Sequence, residues 1–264
     1  MRRGRSTRLN QRHLGHAHAR AARRLPVSTS LALTRVLASI SFALACVLTS
    51  SLTIARPVAK PQAELTPLQH EINVQTARLS STDVEERRDA VTRLGAMRRP
   101  ESSRAAAVAL KDPAAIVRAT AAHAVLSLGG DEAASLILPL LKDRDEFARR
   151  EAAYSLGLTR SGAGVEALVA AVESDKKPSV RGAAAVALGQ IRSRDGVPAL
   201  VETLSNEQTP GDVRRESARA LGLIGDARAV PALRSALTAK DPYLSGIAFE
   251  ALRKIDPQSA TRPG

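Results

Sequence analysis

Val180 to Ile191 reads VRGAAAVALGQI, and Val213 to Ile224, further along the chain, reads VRRESARALGLI. Earlier copies are VRATAAHAVLSL and ARREAAYSLGLT. Aligned on the residue after Val, the copies fall at Arg87, Arg118, Arg149, Arg181, Arg214 and Ser245, at nearly even intervals. Counting that residue as zero, positions +3, +4 and +7 form one stripe at helical periodicity, as in Ala184, Ala185 and Leu188 or Ser217, Ala218 and Leu221. A stripe of that kind is a core face. Its alanines let neighbouring backbones approach closely.

A second apolar segment separates successive copies: 131–141, 163–172, 195–204 and 227–237. Each has apolar residues at helical spacing after a glycine or a polar turn. Pro198 and Pro231 stand near helix starts, where a missing N–H costs little, whereas Pro139 lies deeper and should bend its helix. The unit is therefore a helical pair, which cannot bury its apolar face alone and must stack. Six pairs fit between Thr66 and Asp256, the first using PLQHEINVQTARL as its outer helix. Ankyrin repeats would need a Thr-Pro-Leu-His turn and tetratricopeptide repeats large aromatics at fixed places, and neither pattern occurs.

Asp195 to Gly225 carries Asp, then Val-Pro-Ala-Leu, then Val-Arg, then an Ala-rich run ending in Leu-Gly. This resembles the short HEAT-like repeat of the phycobilisome-lyase type, and the resemblance extends over residues 66–256. It implies an all-α, right-handed α-solenoid of about six two-helix repeats, with the Val-Arg helix lining the concave surface. It also implies an Asp–Arg ladder along the inter-repeat turns, through Asp112, Arg118, Asp143, Arg149, Asp175 and Arg181. Asp112 and Asp241 each precede a proline and can equally cap the next helix. The ladder is expected to break at the fifth unit, at NEQTPGD, and at the sixth, at Ser245. Gly95, Gly157, Gly189 and Gly222 follow the stripe leucine near the helix end, where glycine relieves a left-handed turn.

The stripe leaves positions +1, +2 and +5 free, and these vary where the rest repeats. His123, Arg150, Tyr154, Arg215, Glu216 and Arg219 are accordingly the candidate partner-binding residues, since aromatics and arginines anchor interfaces. Catalysis finds no constellation. The repeats hold two histidines, His70 and His123, and no cysteine, so no zinc-like cluster and no other metal site is expected. The His-Glu pairs of HEAT-like di-iron hydroxylases are represented by His70–Glu71 alone. No phosphate loop or nucleophile elbow is present, and no cofactor is expected.

The net charge of +13 points to nucleic acid until it is divided along the chain. Residues 1–60 carry eleven Lys or Arg and no acid, leaving 28 basic and 26 acidic residues for the rest. The repeats therefore lack the basic footprint that phosphate binding needs. Residues 1–35 read as a basic, polar leader. Residues 36–55, VLASISFALACVLTSSLTIA, are uncharged from end to end. At about 1.5 Å per residue that span could cross a hydrocarbon core of ~30 Å.

Arginines on its N-terminal side predict a cytoplasmic N-terminus if the segment is an anchor, and repeats outside the cytoplasm, periplasmic or at the cell surface. A cleaved signal peptide would give a secreted array, and Cys46 offers a bacterial lipoprotein site. Residues 56–66 form a Pro-rich linker, 67–256 the repeat domain and 257–264 a tail. The function implied is a non-catalytic scaffold or adaptor that binds a protein or peptide on its concave surface. The alternative that the resemblance brings is an accessory lyase-like or chromophore-handling protein.

Overall fold

The computed structural model describes residues 65–259. The expected leader, the apolar segment 36–55 and most of the tail lie outside the described residues. Twelve α-helices run through this span and pair in chain order. The outer helices are α1 (Pro67–Arg78), α3 (Pro100–Ala106), α5 (Gly130–Ile137), α7 (Val165–Ser174), α9 (Val197–Ser205) and α11 (Val230–Ala236). The inner helices, which carry the Val-Arg motif, are α2 (Val84–Ala96), α4 (Ala115–Ala124), α6 (Glu146–Thr159), α8 (Pro178–Ile191), α10 (Gly211–Ile224) and α12 (Pro242–Ile255). The array is an all-α solenoid of six helical pairs. Outer helices α3 and α5 tighten into 3₁₀ turns over Ala107–Lys111 and Leu138–Lys142. The second of these contains Pro139, which cannot continue the α-helical ladder.

The core lies where the repeats share it. Ala121, Ala122, Val125, Ala152, Ala153, Leu156, Ala184, Ala185, Leu188, Ala218 and Leu221 are all buried. Leu94, Leu156, Leu188, Leu221 and Leu252 occupy the +7 row and are fully enclosed, each contributing about 1.5–3 kcal/mol of burial. Each inner helix packs mainly on the next inner helix, whereas outer helices touch one another far less. The inner helices thus form the tight row of the stack.

Glycine makes that row tight, and its role differs from the one its place in the sequence suggests. Gly157 and Gly189 lie inside their helices and take no left-handed conformation. A Cβ on Gly189 would stand 2.8 Å from Ala220 Cα, and one on Gly157 2.7 Å from Ala187 Cα. These glycines are contact points where the next helix crosses. The left-handed turn comes three residues later, at Arg98, Arg160, Arg192 and Gly225 (φ 50°, 54°, 59° and 76°). An arginine there bears strain on the order of 1 kcal/mol, which its charge at a helix C-terminus helps to offset.

The turn between the two helices of a repeat carries the aspartate, and the inner helix after it the arginine. Arg118 donates from Nε and Nη2 to both oxygens of Asp143 at 2.7 Å, and from Nη1 to the carbonyls of Asp112 and Pro113. Arg87 holds Asp112 in the same way, and Arg149 holds Asp175. Each aspartate carboxylate is thus reached from the preceding repeat, and not by the arginine six residues on; Arg118 and Arg149 take the backbone carbonyls of Asp112 and Asp143 instead. Asp112, Asp143 and Asp175 also accept from the N–H two residues on, which closes a turn ahead of the helix and is not a cap, so the cap expected of Asp112 is absent; Asp241 does cap α12, accepting from Tyr243 and Leu244.

Arg181 departs from the expected ladder. Its Nε donates to the Val172 carbonyl at 2.9 Å, and it meets no carboxylate among the described residues. The station that its aspartate would occupy holds Asn206, as far along the chain from Arg181 as Asp143 is from Arg118. Asn206 makes the same turn, accepting from Gln208 N–H at 2.9 Å. The break therefore lies at one neutral side chain, ahead of most of the NEQTPGD insertion. Arg214 likewise turns to the Leu204 carbonyl, and Ser245 to that of Leu237.

Candidate functional site

The six candidate residues all stand on inner helices: His123 on α4, Arg150 and Tyr154 on α6, and Arg215, Glu216 and Arg219 on α10. Between α6 and α10 the inner-helix face sinks into a hollow of about 470 Å³. Arg150, Glu151 and Tyr154 form one wall, Asp212 and Glu216 the other, and Gly182 and Ala183 of α8 the floor. The hollow exists because α8 has no side chain of any length at +1 and +2. Three of the six candidates, Arg150, Tyr154 and Glu216, meet around it.

The wall is already ordered by its own pairs. Arg150 holds Glu151 Oε1 through Nε and Nη2 at 3.0 and 2.9 Å, and its guanidinium lies 4.9 Å from the Phe147 ring centre. His123 Nε2 meets the other Glu151 oxygen at 2.9 Å, tying α4 to α6. Burial alone would raise the Glu151 pKa, but the hydrogen bonds from His123 and Arg150 and the adjacent charge hold it below the ordinary range. Glu216 is held by Arg219 Nη1 at 2.7 and 2.8 Å. With one arginine against three carboxylates, the lining of the hollow is net acidic.

His123 and Arg215 do not line this hollow. Arg215 stands 3.7 Å from Asp241 and 5.8 Å from the Tyr243 ring centre, on the far side of α10. Arg219 lines a second hollow of about 540 Å³ with Leu223, Pro242, Tyr243, Gly246 and Ile247. Gly182, Ala183, Asp212 and Tyr243 were not among the sequence candidates. The only trace of the floor in the sequence is the smallness of Gly182 and Ala183 between repeats that carry arginine and an acid at the same places. Among the described residues no group of His, Cys, Asp and Glu is placed to hold a metal ion. No helix there is long and apolar enough to cross a membrane.

The HEAT-repeat sequence profile matches residues 72–157, 136–210 and 207–263, nearly the whole described array. The chain belongs to the HEAT-repeat family. No curated protein sequence matches it. Among solved structures it is similar to the complex of CpcE and CpcF of phycocyanin lyase from Nostoc sp., at 26% identity and TM-score 0.52, covering 75% of this chain and 79% of that one. An engineered protein is similar at 25% identity and TM-score 0.52, covering 71% of this chain and 97% of that one. The HEAT array is thus a repeat scaffold with likeness to phycocyanin lyase subunits.

Proposed function

We propose that this HEAT array is a non-catalytic adaptor that holds a protein or peptide along its inner-helix face, centred on the hollow over α8. The observation that carries the reading is the convergence of Arg150, Tyr154 and Glu216 on a floor of Gly182 and Ala183. Aromatic and arginine side chains fixed by neighbours give contact area at low ordering cost. Residues 36–55 would anchor the array, or direct its export, so that this face works outside the cytoplasm. Protease added to intact spheroplasts should then digest the repeats.

Panning a displayed random-peptide pool on the chain, then re-testing enriched clones on Tyr154→Ala/Arg219→Ala, checks the reading. Clones should lose at least about tenfold in affinity, or about 1.4 kcal/mol, while the variant melts as the parent does. Clones that bind both proteins equally would refute the face. An empty selection would refute peptide capture.

The likeness to the CpcE–CpcF complex supports a second reading, a chromophore-handling accessory protein. The hollow opposes it. Glu151, Asp212 and Glu216 would repel the carboxylates of a bilin, with Arg150 already committed to Glu151. A pigment titration that shifts no absorbance band would leave the peptide reading alone.

A further inference from the structure

Read down the inner helices, the free positions alternate. At +1 they are Arg88, Ala119, Arg150, Gly182, Arg215 and Gly246; at +2 they are Asp89, Thr120, Glu151, Ala183, Glu216 and Ile247. Arginine beside an acid alternates with a pair lacking charge. The structure turns the alternation into relief, with charged ridges on α2, α6 and α10 and low ground on α4, α8 and α12. The period of this surface is two repeats, twice that of the fold. Core packing needs only the single-repeat period, so it gives no account of the doubling.

The hollows differ in chemistry. The one over α8 is acidic, with Asp212 and Glu216 on one side and the Tyr154 ring on the other. The one over α12 is mainly apolar, lined by Leu223, Pro242, Tyr243 and Ile247, and Tyr243 is 72% exposed. Over α4 the equivalent ground is crossed by the His123–Glu151 hydrogen bond, which closes it as a third station.

We propose that the inner face reads an extended peptide through two anchors set two repeats apart: a lysine or arginine of the partner in the hollow over α8, and a large apolar side chain in the hollow over α12. This rests on the peptide-binding reading above. Charge decides the first anchor. A cation there meets two carboxylates and an aromatic face, whereas an anion would meet repulsion. Exposed apolar surface decides the second. Helices packed at about 8–10 Å put the stations roughly 16–20 Å apart. Extended chain covers that in roughly five or six residues at ~3.3 Å each.

The test uses the full-length chain and labelled Gly/Ser peptides carrying one Arg and one Leu, in both orders, separated by three to nine residues. Fluorescence anisotropy should show the tightest binding at separations of five or six, at least about tenfold over peptides with either anchor alone. A Cβ added at Gly246 finds nothing within 4 Å, and one at Gly182 only Glu216 Cγ at 3.9 Å, so a side chain can start into either hollow with little disturbance. Gly182→Gln should abolish the benefit of Arg and spare that of Leu; Gly246→Gln should do the reverse.

Affinity that is flat across separations, or lost equally for both anchors in either variant, overturns the two-anchor register. If panned clones need Tyr154 and Arg219 but lack the Arg/Leu pair, the peptide-binding reading stands and this one falls. Self-association removed by either glutamine would make a second copy the occupant and overturn it as well.

Discussion

The first three repeats and the last three solve the same joint differently. At the aligned position, Arg87, Arg118 and Arg149 reach forward to an aspartate of the next repeat while also holding carbonyls of their own turn. Arg181, Arg214 and Ser245 hold carbonyls of their own repeat's outer segment and nothing charged ahead. Close glycine contacts run through both halves, at Gly95 against Ala124 and Gly157 against Ala187 as at Gly189 against Ala220 and Gly222 against Ala251, and in the second half they serve the joint without those rungs. The N-terminal half adds ion pairs with little exposure to that fit, whereas the C-terminal half has only more exposed pairs such as Arg215–Asp241 beside it. The two hollows lie over α8 and α12, at and beyond the last rung, Arg149–Asp175.

The largest effect should come from cutting a rung. Arg118 and Asp143 side chains are 9% and 8% exposed, so removing one leaves the other charge with little water. Asp143→Ala should cost about 3–5 kcal/mol, measured by urea unfolding, with hydrogen exchange rising first in α4 and α6. Replacing both partners by apolar residues of similar size should cost far less, because no charge is then stranded. If the double variant loses as much as the single, the pair contributes by packing and the contrast between the halves weakens.

Cutting the fit should cost less. Gly189→Ala puts a methyl group 2.8 Å from Ala220 Cα, where only movement of α10 can relieve it. The expected loss is about 1–3 kcal/mol. Gly182→Ala, two turns earlier on the same helix, meets only Glu216 Cγ at 3.9 Å. It should be neutral, or gain up to about 1 kcal/mol from helix propensity. Thermal melts of the two variants separate a glycine kept for contact from one kept for the hollow. Equal losses would mean that the tight row tolerates no added volume anywhere.

The repeat length, the six pairs and the core stripe were legible in the sequence because each is written several times over. The contact glycines were legible as a row but misassigned. Their place near a helix end suggests a cap, and only the neighbouring helix shows that Ala187 and Ala220 press on them. The ladder residues were visible, but not the direction of pairing, since the arginine six residues after each aspartate is nearer in sequence than its true partner. The hollow over α8 was least legible. It is made by what Gly182 and Ala183 lack, and a missing side chain has no signature until its taller neighbours are in place.

The smallest and most diagnostic change is a single atom exchange at Asn206. Its turn matches those of Asp112, Asp143 and Asp175, and it follows Arg181 at the same interval as Asp143 follows Arg118. Asn206→Asp should draw the Arg181 guanidinium forward and add a fourth rung. The expected gain is about 1 kcal/mol, or a rise of about 2–4 °C in Tm for an array of this size.

Its pH dependence has a definite sign. Burial pushes the Asp143 carboxyl up, but hydrogen bonds from Arg118 and the Asp145 N–H, with the arginine's charge, hold its pKa below the ordinary value. A new aspartate beside Arg181 should be depressed likewise. The stability that it adds is therefore present above the unfolded-chain pKa of about 3.9, and is lost as pH falls through the lower folded value. The melting advantage over the parent should stand at neutral pH and vanish in strong acid. No advantage at neutral pH would locate the break in the backbone rather than the side chain, for ψ at Asn206 is 109° against 143°, 145° and 137° at the three aspartates.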